Sequence, residues 1–261
     1  MKKIKILDKN FYKPISCLTA YSPSIANILD GKIDLILVGD SLGSTLYGMK
    51  NTQGVTIDMM KNHGAAVNKV IKKSLKVLDM PYKTYDNKEE AYKNAKILLK
   101  YCKPDLLKLE INKKKLDILK HLVSKKINLI SHIGVRPQSY KNFNNIKILG
   151  KSNLEKNNLL KLAKESERLG AKAVLLECIT ADTAKLITEN ISIPTIGIGA
   201  SKNCDGQILV FDDLINLSTN NKKPKFVKQY LNFNKIFSNA VKRYDREVKL
   251  KKFPSSKFTY N

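Results

Sequence analysis

Seven side chains of the types that do acid–base and metal chemistry share one setting in this sequence. Asp40 and Ser41 follow the apolar run 33–38, and Asp79 follows 75–78. Lys108 lies within 106–109, and Glu110 closes that run. His132 follows 127–131, and Glu177 follows 173–176. Two or three carboxylates converging on one point make a site for a hard cation. Mg²⁺ takes about six oxygens at roughly 2.1 Å and keeps places for water or substrate oxygens. A bidentate 2-oxo acid would complete that shell, and the ion would act as a Lewis acid that stabilises an enolate. A further carboxylate is then needed to take the carbon-bound proton. Spacing alone leaves open which acid is ligand and which is base.

These residues need a scaffold that brings five run ends to one place. The apolar runs are 15–20, 33–38, 75–78, 106–109, 127–131, 173–176, 193–198 and 207–211. Each is four to six residues and nearly continuously apolar, the pattern of a strand buried on both faces. Segments of helical period lie between them, at 58–73, 88–101, 112–124, 153–169 and 180–190. Gly170 stands where a helix C-cap is expected. Eight such runs predict a (β/α)₈ TIM barrel, with a doubly wound open sheet as the runner-up. In a parallel barrel all the C-terminal strand ends emerge on one face, where barrel active sites form. The barrel is expected over 1–217. Residues 218–261 are expected as a basic helical extension, with helix at about 225–247, packed on the barrel as part of the same domain.

Blander readings compete at single positions. Asp or Ser after a strand often does no more than cap the next helix. Five run ends in series are harder to explain that way. Lys108 and Glu110 also share a strand face, and opposite charges buried together are costly unless they meet a partner or ligand. Gly197-Ile198-Gly199-Ala200 reads equally as a phosphate-binding turn at a helix N-terminus or as room for a close backbone approach. His63 reads as a packing or capping residue. The four Cys form no CxxC pair and the three His no HExxH, so a metal must lean on carboxylates. That favours Mg²⁺ over zinc.

The formal net charge of +25 invites a nucleic-acid reading. The make-up of the charge opposes it, because only Arg136, Arg168, Arg243 and Arg246 are Arg and the other 44 cations are Lys. Base readout and bidentate phosphate clamps favour Arg. The Lys excess travels with Asn and Ile, as drift in an AT-rich genome would produce. No apolar run approaches the roughly 20 residues that span a bilayer. The N-terminus turns polar too soon for a signal-peptide core. A soluble cytoplasmic protein is expected, with small-molecule partners and neither nucleic acid nor membrane.

The stretches LTAYSPSIA (18–26), LVGDSLG (37–43), HGAAV (63–67), LDMPY (78–82), LLKLE (106–110), SHIGVRPQS (131–139), AVLLEC (173–178) and IPTIGIGASKNCDGQILV (193–210) run in a recognisable order. Together they resemble the ketopantoate hydroxymethyltransferase family over about residues 15–217. The resemblance implies a (β/α)₈ barrel, Mg²⁺ dependence and a homo-oligomer, usually a decamer of two pentameric rings. The implied reaction moves a hydroxymethyl group from 5,10-methylenetetrahydrofolate to 3-methyl-2-oxobutanoate. It gives 2-dehydropantoate through a Mg²⁺-stabilised enolate, the first committed step of pantothenate biosynthesis.

By the same resemblance, Asp40, Asp79 and Glu110 are expected at the metal. Asp40, Ser41, Asp79, Lys108 and His132 are expected to contact the keto acid. Glu177 is expected to be the proton acceptor. The chain departs from the family pattern at Met49–Thr52, at Ile111-Asn112, at 144–149 and at Lys151, all loop positions. The alternative is a Mg²⁺-dependent lyase or mutase acting on another small 2-oxo acid on the same barrel.

Overall fold

The structure is a computed structural model that describes residues 3–9, 13–142, 146–217 and 223–260. Part of the departing loop 144–149 therefore lies outside the described residues. The chain forms two compact units, Met1–Val210 and Phe211–Asn261.

In the first unit eight parallel strands close into a barrel in sequence order. They are β1 (Ile15–Thr19), β2 (Leu35–Val38), β3 (Leu75–Asp79), β4 (Leu106–Glu110), β5 (Leu129–Gly134), β6 (Ala173–Glu177), β7 (Thr195–Ile198) and β8 (Gly206–Leu209). β8 returns to β1, pairing Cys17 with Ile208. The expected barrel is present and the open sheet is not. The longer expected helices appear as α3 (Ile57–Asn68), α4 (Lys88–Cys102), α5 (Leu116–Ser124), α6 (Asn153–Arg168) and α7 (Ala181–Glu189). Two further helices, α1 (Pro23–Leu29) and α2 (Leu42–Thr45), follow the first two strands and are too short to show a helical period.

Local chemistry fixes the helix ends. Asn87 caps α4 by accepting from the Glu90 amide, and Lys103 ends that helix in the left-handed conformation. Ser152 and Glu155 form a reciprocal capping box on α6. Gly170 follows α6 with φ +97°, the expected cap position.

Strand periodicity decides what faces the barrel axis. One apolar cluster draws alternate residues from all eight strands: Ile15 and Cys17, Leu35 and Leu37, Leu75 and Val77, Leu106, Ile130, Ala173 and Leu175, Ile196, and Ile208. This is the barrel interior. Leu7, at the end of a 3₁₀ turn over Lys3–Leu7, belongs to the same cluster, and Ile4 and Ile6 pack against it. That turn covers the N-terminal end of the barrel with apolar side chains. Continuing the two-residue period brings Asp79, Lys108, Glu110, His132 and Glu177 to the same inward face, one or two steps further along. The other parity, such as Leu78, Leu107, Leu109, Ser131 and Leu176, is buried towards the helices. Ser131 bonds Ser166 on α6 at 2.8 Å.

The second unit holds α8 (Phe211–Leu214) and α9 (Phe233–Lys249). α9 starts at 233 rather than near 225, capped by Asn232, which accepts from the Lys235 amide. Along α9 the pairs Arg243–Glu247 and Asp245–Lys249 lie one turn apart. The Phe233 and Phe237 rings stack at 5.4 Å.

Candidate active site

The polar residues at the strand ends form a continuous row across three adjacent strand pairs. Asp79 and Lys108 are register partners on β3 and β4, and Lys108 Nζ lies 2.9 Å from Asp79 Oδ1. Glu110 and His132 are partners on β4 and β5. Lys108 Nζ reaches His132 Nδ1 at 3.4 Å. His132 Nε2 then meets Glu177 Oε2 at 3.2 Å. An ammonium can only donate, so Nδ1 accepts and the imidazole proton sits on Nε2, facing the Glu177 carboxylate. Burial, and next the Lys108 charge, hold the His132 pKa below its ordinary value, so the ring is neutral in this row.

Asp40 approaches from β2. Its backbone N–H donates to Asp79 Oδ2 at 3.0 Å, tying the β2 end to the β3 end. Gly39 precedes it at an inward position. A side chain there would start 3.3 Å from Asp79 Oδ2 and 3.1 Å from Ser41 Oγ. Glycine therefore leaves the space between those two groups open. Ser41 precedes α2 but makes no capping bond with its side chain. Its hydroxyl instead meets Tyr21 Oη at 2.7 Å. The capping explanation of the strand-end residues fails here, and also at Asp79, Glu110 and Glu177, which are the last residues of their strands.

Asp40, Asp79, Lys108, Glu110 and His132 are all buried, while the Glu177 side chain keeps 17% of its surface open. Burial is the largest influence on Asp79 and raises its pKa to about 7 against the downward pull of Lys108. Burial, followed by the Asp40 charge, holds Glu110 well above the usual carboxylate range. The Asp79 and Asp40 charges raise Lys108 despite its burial, so the ammonium stays charged. Three carboxyl groups face one ammonium, so all three can be ionised together only if further positive charge joins the cluster.

That imbalance is the test of whether a divalent cation suits these residues, and it does. The donors are carboxylate oxygens, the ligands a hard cation prefers. Asp79 Oδ1 is buried and has the ammonium close by but no directed hydrogen bond. Among the described residues, no group of three His, Cys, Asp or Glu side chains already stands in a metal-ready arrangement. A residue absent from the expected set holds two of these carboxylates. Gln138 donates from Nε2 to Asp40 Oδ2 at 2.8 Å, and its backbone N–H donates to Glu110 Oε1 at 3.0 Å. Its side chain also accepts from the buried Tyr85 hydroxyl at 2.5 Å. Gln138 lies within the recognised stretch SHIGVRPQS, so a signal existed, but a neutral amide on a loop does not advertise acid–base chemistry. Tyr85 carried no comparable signal.

Glu177 is held by its backbone. Gly134, with φ +94°, allows β5 to pass β6 closely, because a Cβ there would lie 2.4 Å from the Glu177 carbonyl oxygen. Val135 N–H donates to that same oxygen at 2.9 Å. Leu149 bridges to Ile179, and the hydroxyls of Thr180 and Thr183 donate to the Gly150 carbonyl, so the loop before α6 is pinned beside Glu177.

Two other expectations are settled by position. No helix follows Gly197–Ala200, where the chain turns directly into β8, so the phosphate-turn reading fails. Gly197 instead admits Cys204, whose Sγ would lie 3.0 Å from an added Cβ. His63 bonds the Tyr21 carbonyl at 2.7 Å and Tyr47 Oη at 3.0 Å, the packing role expected of it. The four cysteines are free thiols, three of them buried. No helix among the described residues is long and apolar enough to cross a membrane.

Comparison with known proteins agrees with this geometry. Residues 2–256 match the model of the ketopantoate hydroxymethyltransferase family. The chain is 47% identical over 255 residues to a 3-methyl-2-oxobutanoate hydroxymethyltransferase of Pelagibacter ubique (strain HTCC1062), covering 98% of this chain and 97% of that protein. It is 42% identical over 261 residues to the enzyme of the same name from Anaplasma marginale (strain St. Maries), covering 99% and 94%. Among solved structures, phosphonopyruvate hydrolase in complex with oxalate and Mg²⁺ superposes with a TM-score of 0.62 at 11% identity, covering 97% of this chain and 90% of that one. Oxaloacetate acetylhydrolase with oxalate gives 0.62 at 12% identity, covering 81% and 80%. These two likenesses show a shared barrel fold.

Proposed function

The chain belongs to the ketopantoate hydroxymethyltransferase family, and from that premise we propose that it transfers a hydroxymethyl group from 5,10-methylenetetrahydrofolate to 3-methyl-2-oxobutanoate, giving 2-dehydropantoate for pantothenate biosynthesis. The observation that carries this reading is the buried row Asp79–Lys108–His132–Glu177, with Asp40 and Glu110 beside it. Asp40, Asp79 and Glu110 would hold Mg²⁺, which when bound supplies a Lewis acid that favours loss of the proton next to the keto group.

The protein's own groups do the rest. Lys108 and Ser41 donate to the carboxylate of the keto acid and fix its orientation. His132, neutral with its proton on Nε2, lies 3.2 Å from one oxygen of Glu177 and limits where that carboxylate can sit. Glu177, the most open of the four groups in the row, takes the C3 proton. The resulting carbanion equivalent forms a carbon–carbon bond to the one-carbon unit, both carbon–nitrogen bonds that held that unit to the folate break, and a water molecule supplies the hydroxyl oxygen, so that tetrahydrofolate leaves. Burial keeps water from the reacting carbon until that donor arrives.

The lyase or mutase alternative draws support only from barrels near 10% identity, which share the fold. We also expect a homo-oligomer, a decamer by family resemblance, acting in the cytoplasm without nucleic-acid or membrane partners. Native mass spectrometry tests the assembly.

The deciding experiment incubates the protein with 3-methyl-2-oxobutanoate and 5,10-methylenetetrahydrofolate, with Mg²⁺ or with EDTA, and follows products by mass spectrometry. Metal-dependent 2-dehydropantoate is expected. Deuterium exchange at C3 without product would mean that the proton-abstracting machinery works and the donor is another molecule. Neither signal in folded protein would overturn the reading.

A further inference from the structure

Gln138 sits on the 3₁₀ turn Pro137–Ser139 beyond β5, yet it touches the ends of three other strands. Its Nε2 donates to Asp40 Oδ2 beyond β2 at 2.8 Å and to the Met80 carbonyl beyond β3 at 3.1 Å. Its backbone N–H donates to Glu110 Oε1 at the end of β4 at 3.0 Å. Gln138 is 3% exposed, so these bonds are not traded for water.

The orientation of the amide has one consistent solution. The Glu110 backbone N–H can only donate, and it reaches Tyr85 Oη at 3.2 Å. The Tyr85 hydroxyl therefore spends its own proton on Gln138 Oε1, 2.5 Å away. That places the NH₂ group towards Asp40 and Met80, where both of its protons find acceptors. Tyr85 is fully buried, with the Lys115 ammonium 3.9 Å from its ring centre. The carbonyl of Gln138 is itself held, by Gln53 Nε2 at 2.9 Å. Nearby, Asn51 Nδ2 donates to the Lys141 carbonyl at 2.9 Å. The turn is thus tied to the loop beyond β2 by two side-chain amides.

We propose that Gln138 is a positioning residue that commits one oxygen of Asp40 and one of Glu110 to the protein and so presents the remaining oxygens, with Asp79, to a divalent cation. The inference rests on the metal-dependent reading above. Groups that orient metal-binding carboxylates typically change metal affinity by 10–100-fold when removed. A residue that only packed the loop would change stability and leave cation affinity alone.

The test measures Mn²⁺ binding by isothermal titration calorimetry on the full-length protein, beside thermal melts and turnover. Two variants separate donation from packing. Gln138→Met fills the space without hydrogen bonds. Gln138→Glu keeps an acceptor for Tyr85 but offers Asp40 no amide proton. Both are expected to bind Mn²⁺ 10–100-fold more weakly than wild type, with turnover recovering as Mg²⁺ is raised towards saturation. Wild-type affinity in either folded variant would overturn the proposal. If both variants fail to fold, Tyr85→Phe decides. It removes the hydroxyl that fixes the amide, and affinity is expected to fall by about 10-fold, the lower end of that range. An unchanged affinity there would overturn the proposal as well. Absence of Mn²⁺ binding to wild type would instead overturn the metal-dependent reading on which the proposal stands.

Discussion

Lys108 and Asp79 face each other across the β3–β4 ladder as register partners, with the ammonium 2.9 Å from Oδ1 and both side chains under 10% exposed. Removing one member of such a buried pair costs about 3–5 kcal/mol, because the partner is left dry and must stay charged or change its protonation. Lys108→Met keeps the length of the side chain and removes the charge. Urea unfolding in EDTA is expected to show that loss. Adding Asp79→Asn to it is expected to recover most of the stability, since the two changes remove one interaction. A loss below about 1 kcal/mol would show that water reaches the pair.

Glu177 is expected to matter for turnover and little for keto-acid binding. Glu177→Gln keeps the shape and the contact with His132 but cannot accept a proton from carbon. Turnover is expected to fall by about 10²–10⁴-fold, with the keto-acid dissociation constant close to wild type. Equilibrium dialysis with labelled keto acid, beside steady-state kinetics, reads the two separately. Near-wild-type turnover would remove Glu177 as the proton acceptor.

Much of this arrangement was legible because a closed parallel barrel makes strand ends converge. The runs at 75–78, 106–109 and 173–176 are each followed by an acid, and the strands extend by one residue to include it, ending at Asp79, Glu110 and Glu177. Parity was not legible. A run buried on both faces shows no alternation, and it is the interior cluster, through Ile130, that fixes His132 as inward and Ser131 as outward. Gln138 and Tyr85 were missed for a different reason. Their contribution comes from loops that fold back over other strand ends, and no local period encodes that contact. Residues 225–232 continue the composition of α9, so composition does not mark its start; Asn232, by capping, sets the boundary.

Asp30 provides a pH-dependent test away from the site. Its carboxylate accepts from the backbone N–H groups of Lys72, Lys73 and Ser74, at 2.9, 2.8 and 2.8 Å, and so ties the end of α1 to the entry of β3. Burial pushes its pKa up, but the bonds from Ser74, Lys72 and Lys73 outweigh that and hold it below the ordinary value. A lowered folded pKa contributes stability above the unfolded value, roughly 3.9, and loses it as pH falls through the folded one. Asp30→Asn is expected to cost about 1 kcal/mol at pH 7, kept small by solvent exposure. The difference should close below about pH 4. A difference that stays constant from pH 7 to pH 3 would rule out the charge as its source.

Ser131 and His132 are neighbours in sequence with opposite duties, and the pair tests the parity argument directly. Ser131 points outward to Ser166, which also donates to the Leu162 carbonyl within α6. Ser131→Ala therefore leaves Ser166 with a partner and is expected to cost about 1 kcal/mol or less, with unchanged kcat. His132 points inward, between Lys108 and Glu177. His132→Gln can still donate, but from a flexible chain that no longer bridges the two groups at fixed distances. A misplacement near 1 Å at a reacting group costs on the order of 10²-fold, so kcat is expected to fall by about that factor. Thermal melts and kinetics on both variants check the contrast. A kcat loss in Ser131→Ala equal to that in His132→Gln would mean that general disturbance of β5, rather than the direction each side chain faces, controls the rate.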